Sequence, residues 1–132
     1  MSRAPPRFEL QKVKACAAAG QIQLTRRRCV DLLMPLLDTY EACRSFAVDV
    51  TLALSPGDFM KTIVTEKGQE FDEYGMELGE ELVRKYGLDG QRCWYLKLRV
   101  DEGMYEDFVT YISLHAPEWP MDRAAGVLVP DR

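Results

Sequence analysis

Two stretches toward the C-terminal end of this 132-residue chain alternate apolar and polar residues, the pattern that puts every second side chain of a strand on one face. In Trp94 to Asp101 one parity is Trp94, Leu96, Leu98 and Val100, and the other is Tyr95, Lys97, Arg99 and Asp101. In Phe108 to His115 the same parity sends Phe108, Thr110, Ile112 and Leu114 inward and Val109, Tyr111, Ser113 and His115 to the opposite side. A hairpin over Glu102 to Asp107, turning at Gly103 and Met104, sets Lys97 opposite Tyr111 and Tyr95 opposite Ser113, with His115 a diagonal neighbour. A face of this composition gives bases rings to stack on and phosphates cations to pair with. His115, the single histidine, adds a group suited to proton transfer at neutral pH, because an unperturbed imidazole has a pKa of about 6.5. The ordinary alternative is the solvated side of a half-buried sheet.

The elements that must hold this face are helices and turns read from period and caps. Phe8, Val13, Cys16 and Ala17 share a helical side over Phe8 to Ala19, and Gly20 ends it. Thr25 is placed to cap a second helix that begins at Arg26, Arg27 and Arg28 and runs through Val30 to Leu37, kinked or ended at Pro35. Three arginines at a helix N-terminus oppose its dipole, so the run points to an outside anion. Tyr40 to Leu54 is ambiguous between helix and strand by pattern and is assigned to helix by its length. Ser55-Pro56-Gly57-Asp58 is a capped helix start that delivers Phe59 and Lys61 to a strand near Met60 to Thr65. Gly68 to Gly75 reads as a loop, and Met76 to Tyr86 as a helix with Leu78, Leu82 and Val83 inward and Gly87 as its stop. After Ala116, with Pro117, Pro120 and Pro130, no period survives; that tail is expected to wrap the surface or be partly disordered. The expectation is one α+β domain over 1–132, with a core at about 8–116 and a C-terminal tail at 117–132.

Composition narrows the function classes. A formal charge of −4 argues against a nonspecific nucleic-acid coat. The charge is uneven: from Arg3 to Arg28 the basic residues Arg3, Arg7, Lys12, Lys14, Arg26, Arg27 and Arg28 face only Glu9. Between Glu66 and Asp89 lie the acids Glu66, Glu70, Asp72, Glu73, Glu77, Glu80, Glu81 and Asp89, the mark of a solvated helix face. Cys16, Cys29, Cys43 and Cys93 are scattered, which indicates reduced packing residues rather than a zinc site or disulfide framework. No apolar run reaches the roughly 20 residues of a membrane span, and the Met1 to Arg7 leader lacks the apolar stretch of a secretory signal. A soluble, cytoplasmic protein without a metal or other cofactor is expected.

Several pieces in order resemble the MqsR (motility quorum-sensing regulator) family, toxins of type II toxin–antitoxin systems within the RelE-like group. They are Leu10-Gln11-Lys12-Val13-Lys14, Ala19-Gly20-Gln21, Thr25, Leu54-Ser55, Asp58-Phe59 with Lys61, Tyr95-Leu96-Lys97 and Ile112-Ser113-Leu114-His115. The resemblance implies a RelE-like fold, helices packed on a mainly antiparallel sheet, and a metal-independent endoribonuclease that cleaves single-stranded mRNA and is neutralised by an antitoxin partner. It places Lys61 and Tyr95 on two family site residues and His115 on a third, a lysine in the family. The family glutamine has an uncertain counterpart within Gln69-Glu70-Phe71-Asp72-Glu73-Tyr74. Such cleavage needs a base for the ribose 2′-hydroxyl, charge stabilisation on the phosphorane and a proton for the leaving oxygen. The implied roles are acid or base for His115, phosphate stabilisation for Lys61, and orientation or proton transfer for Tyr95. Lys97, Arg99, Tyr111, Arg26, Arg27 and Arg28 are candidates for substrate binding. Departures are the Glu77 to Asp89 insertion, the acidic charge and the tail. The rival reading is a catalytically inactive RelE-like interaction module, for which the acidic stretch is the favouring feature.

Overall fold

The computed structural model describes residues 3–131; Met1 and Ser2 of the leader and Arg132 of the tail lie outside the described residues. Those residues form α1 (Leu10–Ala18), β1 (Ile22–Leu24), a π-helical turn (Arg26–Val30) running into α2 (Asp31–Leu37), and α3 (Tyr40–Ala53). A 3-10 turn (Pro56–Asp58) leads to β2 (Phe59–Val64), β3 (Glu70–Glu77), α4 (Glu80–Tyr86), β4 (Cys93–Glu102), β5 (Asp107–His115), β6 (Met121–Arg123) and β7 (Gly126–Leu128). One mixed sheet has the order β1-β5-β4-β3-β2, with β1 parallel to β5 and the other pairs antiparallel; β6 and β7 pair separately. The class is α+β.

One face of the sheet is covered by helices. Val13 of α1 and Phe46 and Val50 of α3 are fully buried in a core with Trp94, Leu96 and Leu98 of β4. Phe46 meets Trp94 edge-on at 4.8 Å between centroids. Each such side chain contributes roughly 1.5–3 kcal/mol by leaving water. Local signals hold α3 and the turn after it: the Thr39 hydroxyl accepts from the Ala42 amide at 3.0 Å, and Ser55 and Asp58 close a reciprocal capping box. The cysteines are all buried and unpaired. No helix among the described residues is long and apolar enough to cross a membrane.

Strand β5 departs from the alternation its sequence suggests. Lys97 pairs with Ser113 but Leu98 with Tyr111, so Ile112 is an extra residue, a bulge. Before it Val109 and Tyr111 point into the core, and after it Leu114 does, while Thr110, Ser113 and His115 share the other face. The inward assignment of Phe108, Thr110 and Ile112 is therefore corrected, and so is the outward assignment of Val109 and Tyr111. Tyr111 is completely buried and shares a hydrogen bond with the Thr51 hydroxyl. Carbonyls at the bulge are taken up by the turn after β1. The Thr25 amide donates to Tyr111 at 3.1 Å, the Thr25 hydroxyl to Ile112 at 3.0 Å and the Cys29 thiol to Tyr111 at 3.4 Å. Thr25 thus spends its hydroxyl on the sheet rather than on the predicted cap.

The predicted loop at Gly68 to Gly75 is mostly strand, and the helix after it is shorter than expected, Glu80–Tyr86. Acids at 70, 72 and 73 hid β3 because they read as solvent-facing, yet Asp72 and Glu73 are both buried. Asp72 is held by the backbone amides of Arg7 and Phe8 at 3.0 and 2.8 Å and by the Thr62 hydroxyl at 2.6 Å. The solvated helix face expected of the Glu66 to Asp89 acids is confined to Glu80 and Glu81, exposed in the first turn of α4. Several cations of the basic end are paired, Arg3 with Asp122, Arg7 with Glu70 and Lys12 with Asp107.

Burial raises the phenols of Tyr74 and Tyr111 above the ordinary tyrosine range and the Cys93 thiol to about 11. These groups are acids favoured neutral in the folded state. Their contribution is intact below the unfolded pKa values, about 8.5 for Cys and 10 for Tyr, and is lost as pH rises toward the folded ones. The urea midpoint should therefore be level from pH 7 to about 8 and fall increasingly above about pH 10. Tyr111→Phe should flatten the descent, and an equal slope in both proteins would show that this phenol does not govern it.

Candidate active site

The register brings two predicted residues closer than the sequence suggested. Tyr95 lies directly opposite His115, rather than opposite Ser113, and the ring centroids are 5.4 Å apart. On the other side of Tyr95 stands β3, whose Phe71, Glu73 and Gly75 lie on the same face. The Tyr95 hydroxyl donates to Glu73 Oε2, and the Glu73 side chain is almost buried, at 7% exposure. Burial is the main force raising the Tyr95 phenol well above the ordinary range, and the carboxylate that holds its proton adds to it. The phenol is therefore a fixed donor at any pH near neutrality.

His115 Nδ1 lies 2.9 Å from the Ala116 carbonyl. A carbonyl can only accept, so Nδ1 carries hydrogen, and in the neutral ring Nε2 is the bare nitrogen. Nε2 is buried without a partner, as are Glu73 Oε1 and Gln91 Oε1. These residues, with Tyr95, line one cleft of about 720 Å³. Arg28, Leu32 and Leu36 form one wall and the segment after β5, including Trp119, forms the other. Arg28 reaches it because the π-helical turn docks on the β5 bulge through Thr25 and Cys29. The tail's Met121, which also lines the cleft, lies over Gly75: a Cβ at 75 would stand 2.7 Å from Met121 Sδ, which explains glycine there.

The remaining candidates are not in the cleft. Lys61 is exposed on β2, opposite Glu73 but three strands from β5, about 14 Å across a sheet at ~4.8 Å per strand. Lys97 sits in register between Glu73 and Ser113 with its ammonium 5.1 Å from the Phe71 ring centroid. Arg99 stacks on the same ring at 5.5 Å and is engaged by Asp101 at 2.9 Å. Arg26 and Arg27 are exposed outside the lining, with Arg26 3.6 Å from Asp31. Tyr111 is removed from substrate binding altogether, because the bulge turns it into the core.

Glu73, Gln91 and Trp119 were not singled out by sequence reasoning. A strand reading of Glu70 to Glu77 would have placed Glu73 on the open face with Phe71 and Gly75; for Gln91 and Trp119, both outside regular strands, no sequence signal existed. Among the described residues no three His, Cys, Asp or Glu side chains are grouped to hold a metal ion. No protein-family model matches the chain, and no curated protein does.

The Tyr95 to Glu73 bond sets an energetic expectation. Tyr95→Phe leaves a nearly buried carboxylate without its donor, which should cost about 1–3 kcal/mol in urea unfolding. Glu73→Gln added to Tyr95→Phe should cost less than the sum of the single changes, because the two residues share one interaction. Strict additivity would mean that the pair is not coupled.

Proposed function

We propose that this chain is a metal-independent endoribonuclease on a RelE-like scaffold, a toxin that cleaves single-stranded mRNA and is restrained by a cognate antitoxin. The observation that carries the reading is the meeting of a carboxylate, a phenol, an imidazole and a guanidinium in one open cleft. Its volume, about 720 Å³, suits a ribose phosphate with an attached base.

The roles we give these residues differ in part from those implied by the family resemblance. Glu73 Oε1, free and buried, accepts the 2′-hydroxyl proton as that oxygen attacks phosphorus. The P–O5′ bond breaks in line, and His115, entering as imidazolium, gives its Nε2 proton to the departing oxygen. The products are a 2′,3′-cyclic phosphate and a 5′-hydroxyl. Arg28 takes the phosphate stabilisation first given to Lys61, since it lies at the cleft and offers a planar fork to the phosphorane oxygens. Tyr95 orients Glu73 by holding its other oxygen. Lys61, Lys97 and Arg99, on the same sheet face outside the cleft, are placed for phosphates flanking the scissile one.

The second reading, a non-catalytic interaction module, is favoured by one feature: Leu32, Leu36 and Trp119 are exposed at the same cleft.

RNA incubated with purified protein in EDTA distinguishes the two. Glu73→Gln and His115→Ala should each lower the cleavage rate by about 10²-fold or more, and Arg28→Ala by a similar factor. Lys61→Ala should act mainly on affinity and its salt dependence. Cleavage at the parent rate by both Glu73→Gln and His115→Ala would end the nuclease assignment.

A further inference from the structure

The cleft holds an unusual surplus of one kind of polar atom. Glu73 Oε1, Gln91 Oε1 and His115 Nε2 are all buried, all without a partner and all on residues that line it. The first two can only accept a hydrogen bond, and the neutral His115 ring is an acceptor at Nε2 because Nδ1 donates to Ala116. Glu73 is in addition a buried anion whose one bonded neighbour is a neutral phenol. The site is thus short of donors and of positive charge together.

We propose that the cleft also receives an arginine side chain from an apolar-flanked basic segment of a protein partner, with the guanidinium seated among Glu73, Gln91 and His115. A guanidinium is planar, always charged and carries five N–H donors and no acceptor, which answers both shortages. A nucleobase supplies donors but brings ring nitrogens or carbonyl oxygens of its own, and an ammonium lacks the flat fork. The chain's own Arg28 stays exposed at the wall and makes no ion pair with Glu73. Leu32, Leu36 and Trp119, exposed at 44%, 39% and 75%, give apolar neighbours of that arginine a surface to cover. A net charge of −4 further favours a basic partner. With its guanidinium in place neither Glu73 Oε1 nor His115 Nε2 is open to exchange a proton, so the partner silences the cleft. That last consequence rests on the ribonuclease reading, whereas the docking itself does not.

The probe is the blocked tripeptide Ac-Leu-Arg-Leu-NH2, followed through the ring resonances of His115, the single histidine, in carbon–proton correlation spectra. Saturable shifts are expected with the arginine peptide. The isosteric, uncharged citrulline peptide should bind at least tenfold more weakly, and Gln91→Ala and Glu73→Gln should each weaken the arginine peptide about tenfold, while the rest of the spectrum shows each variant folded. No shift at millimolar peptide, or equal binding of the citrulline form, overturns the proposal. A mononucleotide that shifts His115 where the arginine peptide does not overturns it as well and assigns the cleft to RNA alone. Peptide binding by a protein that cuts no RNA sustains the docking proposal and removes the ribonuclease reading. Cleavage undiminished at saturating peptide refutes the silencing role.

Discussion

A single extra residue in β5 organises both faces of the sheet. Without the bulge at Ile112, the parity that buries Val109 and Tyr111 would bury Ser113 and His115 too and would push Leu114 into solvent. With it, the strand feeds the core along its whole length and still delivers His115 beside Tyr95. A bulge interrupts the ladder and leaves carbonyls in need of donors. Thr25 and Cys29 take up those of Tyr111 and Ile112, which fastens the π-helical turn to the strand and sets Arg28 at the cleft. The imidazole and the guanidinium are therefore placed by the same irregularity.

The second organising feature is the burial of acids on β3. A carboxylate removed from water is strongly disfavoured unless hydrogen-bonded. Asp72, on the helix side, is satisfied by two backbone amides and a hydroxyl, so it fixes the chain just before α1. Glu73, on the open side, receives the Tyr95 phenol on one oxygen and nothing on the other. Neighbouring residues of similar chemistry thus end in opposite conditions: one completes a structural junction, the other remains poised for an incoming group.

Legibility followed local redundancy. The hairpin of β4 and β5 and the capped turn at Ser55 each had two signals that agreed, such as alternation with a turn or cap with proline, and each was read from sequence, whereas the helix at Tyr40–Ala53 was assigned on length alone. Strand β3 was missed because its partners, the Arg7 and Phe8 amides and Tyr95, are remote in sequence, so its acids looked solvated. The bulge was invisible for a related reason. Tyr111 and Ile112 suit either side of a sheet by type, and what decides between them is the Thr25 and Cys29 docking, over 80 residues away. Tyr95 and His115 were therefore identified with the wrong pairing, and Glu73 between the strands was overlooked.

The segment after β5, expected only to wrap or fray, has a constructive part in the cleft. Ala124 and Ala125 amides donate to the Phe59 and Gly57 carbonyls, and Arg123 bonds Asp58 at 3.0 Å with both side chains mostly buried. These anchors press Met121 onto Gly75, where no side chain intervenes, and they leave Trp119 exposed on the wall opposite Leu32 and Leu36. An open sheet face alone would expose Glu73 and His115 to bulk water and dissipate the electrostatic contrast between them. The anchored tail lowers that exposure without filling the cavity, so Glu73 and His115 are kept in a partly dry recess.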